Sequence, residues 1–188
     1  AALASMTINK LGRELPATIQ SEILAVLLDA LACPYPWAQY EAACALREAV
    51  SLKWTDDNVI RLAVCLASKL EQQDTGTDEN DRVLKEMLAL VCSLQKAKCN
   101  LSLIEVRLVE ALKTAGPSRK RILIAPLAQI GTPETFRLIL ESESSGNIPA
   151  TELVKLLPRK EFLERFIFTL VHRRRDELSQ KATGEKLL

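Results

Sequence analysis

Over residues 18–31 the apolar positions Ile19, Ile23, Leu24, Leu27, Leu28 and Leu31 fall three and four apart, with Gln20, Glu22 and Asp29 between them. That spacing lays one apolar stripe along an α-helix. Cys33-Pro34-Tyr35-Pro36 ends it, because proline has no N–H to donate and turns the residue before it away from helix. The helical period resumes over residues 37–52, with Tyr40, Ala43, Leu46, Ala49 and Val50 on one side. Thr55 is placed to cap a third helix, and Asp56 and Asp57 put negative charge in its first turn, where the macrodipole favours it. Its expected buried stripe is Val59, Ile60, Ala63, Leu66, Ala67 and Leu70. Residues 71–80 read as a polar loop, and residues 81–96 as a fourth helix burying Val83, Leu84, Met87, Leu88, Val91 and Leu94.

In the second half Ser102 and Glu105 have the spacing of a capping box, opening a helix to Thr114 through Leu103, Val106, Val109, Ala111 and Leu112. After Gly116-Pro117 a sixth helix spans residues 118–130, with a kink expected near Ile122 because Pro126 clashes with the carbonyl four residues back. Gly131 is expected in the left-handed position that closes a helix, and Thr132-Pro133-Glu134 to start the next, which buries Phe136, Ile139 and Leu140. A short helix over 150–157 stops at Pro158. A last one over 159–175 carries Phe162, Leu163, Phe166, Ile167, Leu170 and Val171, and beyond it the apolar signal fades.

Composition sharpens this pattern. The 188 residues are 48% hydrophobic but only 4% aromatic, with six Gly and eight Pro, a balance suited to packed helices rather than a many-stranded sandwich. The fold class expected is all-α, and a chain of this size can bury a core without disulfides or metals. Taken in pairs, the helices repeat at irregular intervals centred near ~40 residues. Pro36-Trp37-Ala38-Gln39-Tyr40-Glu41-Ala42-Ala43-Cys44-Ala45-Leu46-Arg47 resembles the alanine-rich second helix of a HEAT repeat. Leu127-Ala128-Gln129-Ile130-Gly131-Thr132-Pro133-Glu134-Thr135-Phe136 resembles the passage from one such repeat into the next. The resemblance covers residues 18–157. It implies a right-handed α-α superhelix, a HEAT/armadillo-like solenoid of about four helix pairs plus a C-terminal helix. Residues 1–17 are then expected to be an N-terminal extension or a remnant of expression, 18–175 the repeat domain, and 176–188 a tail. The chain is expected to be a fragment or subunit of a larger assembly.

The formal net charge is +1, which offers no global attraction to nucleic acid or membrane. Its distribution is uneven: residues 1–94 carry net −5 and residues 95–188 net +6. Cys33, Cys44, Cys65, Cys92 and Cys99 lack C-x-x-C spacing, and the single histidine, His172, is far from all of them in sequence. They read as small hydrophobes, with no metal site and no cofactor expected. Reduced thiols and the lack of a signal peptide point to an intracellular, cytoplasmic or nuclear, location. No apolar run is long enough to span a bilayer.

One histidine leaves no obvious triad, and Gly116-Pro117-Ser118-Arg119-Lys120 lacks the glycine spacing of a phosphate loop. No enzyme is expected. Arg119, Lys120 and Arg121 open a helix at the end the dipole makes unfavourable for cations, which local helix energetics does not explain. Arg173 and Arg174 close a helix, where the dipole favours them. By resemblance, HEAT-like proteins are mostly scaffolds that present the polar faces of their second helices to protein partners, and some bind nucleic acid. The expected function is a non-enzymatic protein–protein interaction scaffold or adaptor, with Gln39, Arg47, Arg82, Lys85, Arg119, Lys120, Arg121, Phe168, Arg173 and Arg174 as contact residues. Partners are expected to be proteins, acidic ones among them. The alternative is a nucleic-acid-binding HEAT-like protein using the basic half. Phe168 points away from the stripe of Phe162 and Phe166, so its face needs further repeats, a second copy, a partner, or the tail with Leu178, Leu187 and Leu188 folded over it.

Overall fold

Thr55 does cap a helix: the Asn58 N–H donates to its hydroxyl at 3.3 Å. That helix is one of six with both ends among the residues that the computed structural model describes, which are 14–71 and 78–132 together with Thr135, Phe136, Leu138, Ile139, Val171 and Arg175. The helices are α1 (Ala17–Ala32), α2 (Pro36–Glu48), α3 (Asp56–Glu71), α4 (Asp78–Lys96), α5 (Ser102–Thr114) and α6 (Pro117–Ile130). Thr135, Phe136, Leu138 and Ile139 are also helical, as are Val171 and Arg175, and no strand occurs among the described residues. The all-α class expected from the sequence is the class observed.

Several boundaries differ from expectation for local reasons. The second helix ends at Glu48 and passes into a 3-10 turn, Ala49–Ser51, so the single element expected over 37–52 is two. The fourth helix starts at Asp78, three residues earlier than the apolar pattern suggested; its first residues Asp78, Glu79 and Asn80 suit a helix N-terminus although they are polar. Its C-terminus closes on Lys98, whose φ of 61° is left-handed. The Cys99 N–H reaches the Leu94 carbonyl at 3.2 Å and the Lys98 N–H the Gln95 carbonyl at 2.9 Å, the paired bonds of a Schellman cap.

The expected capping box at Ser102 does not form. Asn100 Oδ1 instead accepts from the Ser102 N–H at 3.2 Å and the Ser102 hydroxyl at 2.9 Å. Glu105 reaches forward across the next hairpin, accepting from the Thr132 N–H at 2.7 Å, the Thr132 hydroxyl at 2.9 Å and the Thr135 hydroxyl. Gly131 is extended, with φ −73° and ψ 154°, rather than left-handed. What requires glycine there is space: a Cβ would collide with the Leu127 carbonyl oxygen and the Thr135 side chain. The sixth helix runs unbroken through Pro126.

The contacts between helices form two layers. In one, α1 packs on α3 and α3 on α5; in the other, α2 packs on α4 and α4 on α6; hairpin partners α1–α2, α3–α4 and α5–α6 join the layers. Leu24, Leu28, Leu46, Leu62, Leu66, Leu84, Leu94, Ile104, Leu108, Leu123 and Leu127 fill the space between, and Phe136 and Ile139 extend the same core. This stack is compatible with a helical solenoid. The expected stripe of α5 is corrected in part: Leu112 is buried as expected, Leu103 and Val106 are exposed, and Ile104 and Leu108 take core positions. In α3 Ile60 is exposed and Leu62 takes the core position. Leu140, the helix over 150–157, most of that over 159–175, and nearly all of the terminal segments 1–17 and 176–188 lie outside the described residues.

Candidate docking surface of the second-helix layer

The helix α4 sits between α2 and α6, and its buried stripe of Val83, Leu84, Met87, Leu90, Val91 and Leu94 faces inward. Arg82, Lys85, Ala89 and Cys92 fall on the opposite side by helical spacing, so they form the outward ridge of the layer. A depression lies on each flank of this ridge.

Between α4 and α6 is a groove of about 440 Å³ lined by Lys85, Leu88, Ala89, Cys92, Arg121, Ile122, Ala125, Pro126 and Gln129. Ala89 and Ala125 are too short to fill the gap between the helices, which leaves an apolar floor. Gln129 Nε2 donates to the Cys92 carbonyl at 3.1 Å, tying the far end of α6 to α4. Among the described residues the lining includes two cations, the exposed Lys85 and Arg121, and no carboxylate. On the other flank, Pro36, Trp37, Tyr40, Glu41, Glu79 and Arg82 line a pocket of about 260 Å³. The Arg82 guanidinium carbon lies 5.2 Å from the centre of the Tyr40 ring, a cation–π arrangement that holds the two helices' outer edges together.

The sequence-derived contact residues separate into two groups. Arg82, Lys85 and Arg121 are exposed on this surface, whereas Lys120 is half-buried and lies one turn before Ile124 on the core side of α6. Gln39, Arg47 and Arg119 are engaged within the fold. Arg47 Nη1 meets Glu86 Oε2 at 2.5 Å, linking α2 to α4. Arg119 Nη1 donates to the Leu70 carbonyl at 2.9 Å, so it caps the C-terminal turn of α3, the end of a helix that a cation favours. This is the tertiary reason for a basic residue in the first turn of α6. Gln39 Nε2 donates to the Cys33 carbonyl at 2.7 Å while its Oε1 accepts from Lys69 Nζ at 2.9 Å. Lys69 also donates to Asn80 Oδ1 at 2.6 Å and is only 4% exposed. Burial, and secondarily the Arg119 charge, push the Lys69 ammonium below its ordinary pKa. Phe168, Arg173 and Arg174 lie outside the described residues.

Sequence reasoning missed Trp37, Glu79, Ile122 and Gln129 as surface-forming residues. Trp37 had a signal: an aromatic beside Pro36 at a helix start, 72% exposed in the fold, is not spent on the core.

None of the five cysteines is in a disulfide, and all are half-buried. Burial raises the thiol pKa of Cys44, Cys65 and Cys99, for Cys44 with help from Glu86 and for Cys99 from Asp56. Raised thiols hold little thiolate near neutrality and make poor nucleophiles or metal ligands. Among the described residues no group of three His, Cys, Asp or Glu side chains is placed to hold a metal ion. No described helix is long and apolar enough to cross a membrane. No protein-family model matches this chain, nor does any curated protein or solved structure.

Proposed function

We propose that the chain is a non-enzymatic interaction module built as a HEAT-like helical stack, docking protein partners on the outward side of α2, α4 and α6. The observation that carries this reading is the α4–α6 groove, whose described lining joins an apolar floor to the exposed cations Lys85 and Arg121. An apolar cleft between helices buries partner side chains, and a rim of one sign selects charge and speeds encounter. The partner segment that fits is amphipathic, with apolar residues entering the groove and acidic residues flanking them. Five cysteines outside any disulfide support a reducing, intracellular setting for this module.

A displayed peptide library selected against the protein tests the reading. Enriched sequences are expected to place acidic residues beside apolar ones, and to bind the Lys85→Glu/Arg121→Glu variant about tenfold or more weakly. Peptides that bind the variant equally well, or no enrichment at all, reject the groove as a docking surface. The nucleic-acid alternative is less well supported, because Arg47 and Arg119 serve ion pairing and helix capping, and the exposed aromatic Trp37 stands beside carboxylates.

A further inference from the structure

We propose that the pocket between the N-terminal turns of α2 and α4 receives a cationic side chain, arginine or lysine, from the docked partner. This rests on the reading of the second-helix layer as a docking surface, and it concerns the opposite flank of α4 from the groove. Pro36, Trp37, Tyr40, Glu41, Glu79 and Arg82 line the pocket. Trp37 is 72% exposed, although a large aromatic ring gains most when buried. The adjacent Tyr35 is 62% exposed, so the loop entering α2 presents two such rings to solvent.

The charges decide which guest fits. Glu41 and Glu79 are both exposed, and among the described residues neither forms an ion pair. One resident cation, Arg82, occupies the face of Tyr40. Two carboxylates against one guanidinium give the described lining side chains a formal net negative charge, which opposes the positive N-terminal ends of α2 and α4, and Trp37 supplies a second aromatic face, the strongest of the aromatic side chains for binding a cation. Arg82 already shows the type of contact the pocket supports, in which a guanidinium lies over an aromatic ring near carboxylates. An acidic guest would gain from Arg82 alone and meet both carboxylates. An apolar guest would bury the carboxylates without a partner. A cationic guest extends the existing arrangement, stacking on Trp37 while its donors reach Glu41 or Glu79.

Trp37 makes the test direct, since the chain has only one other tryptophan, Trp54. The full protein is titrated with a short peptide bearing one arginine, with its uncharged citrulline counterpart, and with tetramethylammonium chloride. The indole N–H resonance of Trp37 is followed by NMR and assigned with Trp37→Phe. The arginine peptide is expected to shift that resonance, the citrulline peptide to leave it in place, and Glu41→Gln/Glu79→Gln to weaken the response about tenfold. Glu41 and Glu79 are exposed, so the double variant is expected to keep the helical circular dichroism of the parent, and Lys85→Glu/Arg121→Glu to keep the response. No shift, an equal response to citrulline, or an undiminished response in the glutamine variant overturns the proposal. Tighter binding of tetramethylammonium than of the peptide overturns the assignment to a partner's side chain. If this pocket fails while acidic peptides still depend on Lys85 and Arg121, the docking-layer reading stands; loss of both rejects that reading too.

Discussion

Lys69 is nearly removed from solvent, and among the described residues its ammonium meets only the amide oxygens of Gln39 and Asn80. Neutral acceptors satisfy its donors without balancing its charge, so burial and then the nearby Arg119 lower its pKa from the ordinary 10.5. The unfolded chain therefore holds this proton to higher pH than the folded chain does. At pH values below the lowered pKa both states are protonated and the folded state bears the full cost of a buried charge. As pH rises from the lowered pKa towards 10.5 the folded state sheds the proton first, and stability rises by linkage. The thiols of Cys44, Cys65 and Cys99 act oppositely, since their raised values cost stability as pH climbs above 9.0. Comparison with Lys69→Met separates the two. The substitution removes the donor that Lys69 gives to each amide oxygen and is expected to cost about 1–3 kcal/mol near neutrality. In urea denaturation repeated from pH 7 to about 10, the parent should gain stability relative to the variant. Parallel pH dependences would show that the Lys69 proton plays no part.

At the scale of the element, the sequence was legible wherever one face alone was apolar. Val83, Leu84, Met87, Leu88, Val91 and Leu94 of α4 are all buried as their spacing implies. It misled where both faces were apolar. In α5 the set Leu103 and Val106 and the set Ile104, Leu108 and Leu112 are both helical stripes, and only packing on α3 decides that the second is core. Ile60 and Val64 of α3 are likewise exposed, so the first layer carries apolar residues on its solvent side. Of the candidate surface, Arg82, Lys85 and Arg121 were legible as exposed cations, whereas the roles of Gln39, Arg47 and Arg119 depend on partners 30 to 49 residues away. The cap at Lys98 was invisible for another reason: nothing in a lysine signals a left-handed backbone. That conformation strains a residue with a Cβ by ~1–2 kcal/mol, and glycine relieves it. Lys98→Gly is expected to stabilise the protein by up to about 1 kcal/mol, a rise of a few degrees in Tm, because the Schellman bonds at Leu94 and Gln95 remain. A drop in Tm would mean the lysine side chain contributes more than its backbone costs.

For the molecule as a whole, the order of contacts implies how stability is shared. The first hairpin, α1 and α2, packs mainly on the second, α3 and α4, which in turn packs on α5 and α6. A linear stack has nearest-neighbour energetics, so a defect at one end loosens that end before it reaches the other. A closed bundle shares one core among all helices and loosens throughout. Leu24 in α1 and Leu66 in α3 are both fully buried leucines, one in the first and one in the second of the three described hairpins. Truncation of either to alanine removes similar apolar volume and leaves a cavity, costing ~2–5 kcal/mol locally. Hydrogen exchange should then separate the architectures. With Leu24→Ala, amides of α1 and α2 are expected to exchange faster while α5 and α6 keep parental protection. With Leu66→Ala, protection should fall in all three hairpins, because the central one bridges the other two. Equal acceleration of all six helices by Leu24→Ala would mean that the helices unfold as one cooperative body, and the solenoid reading of the stack would fail.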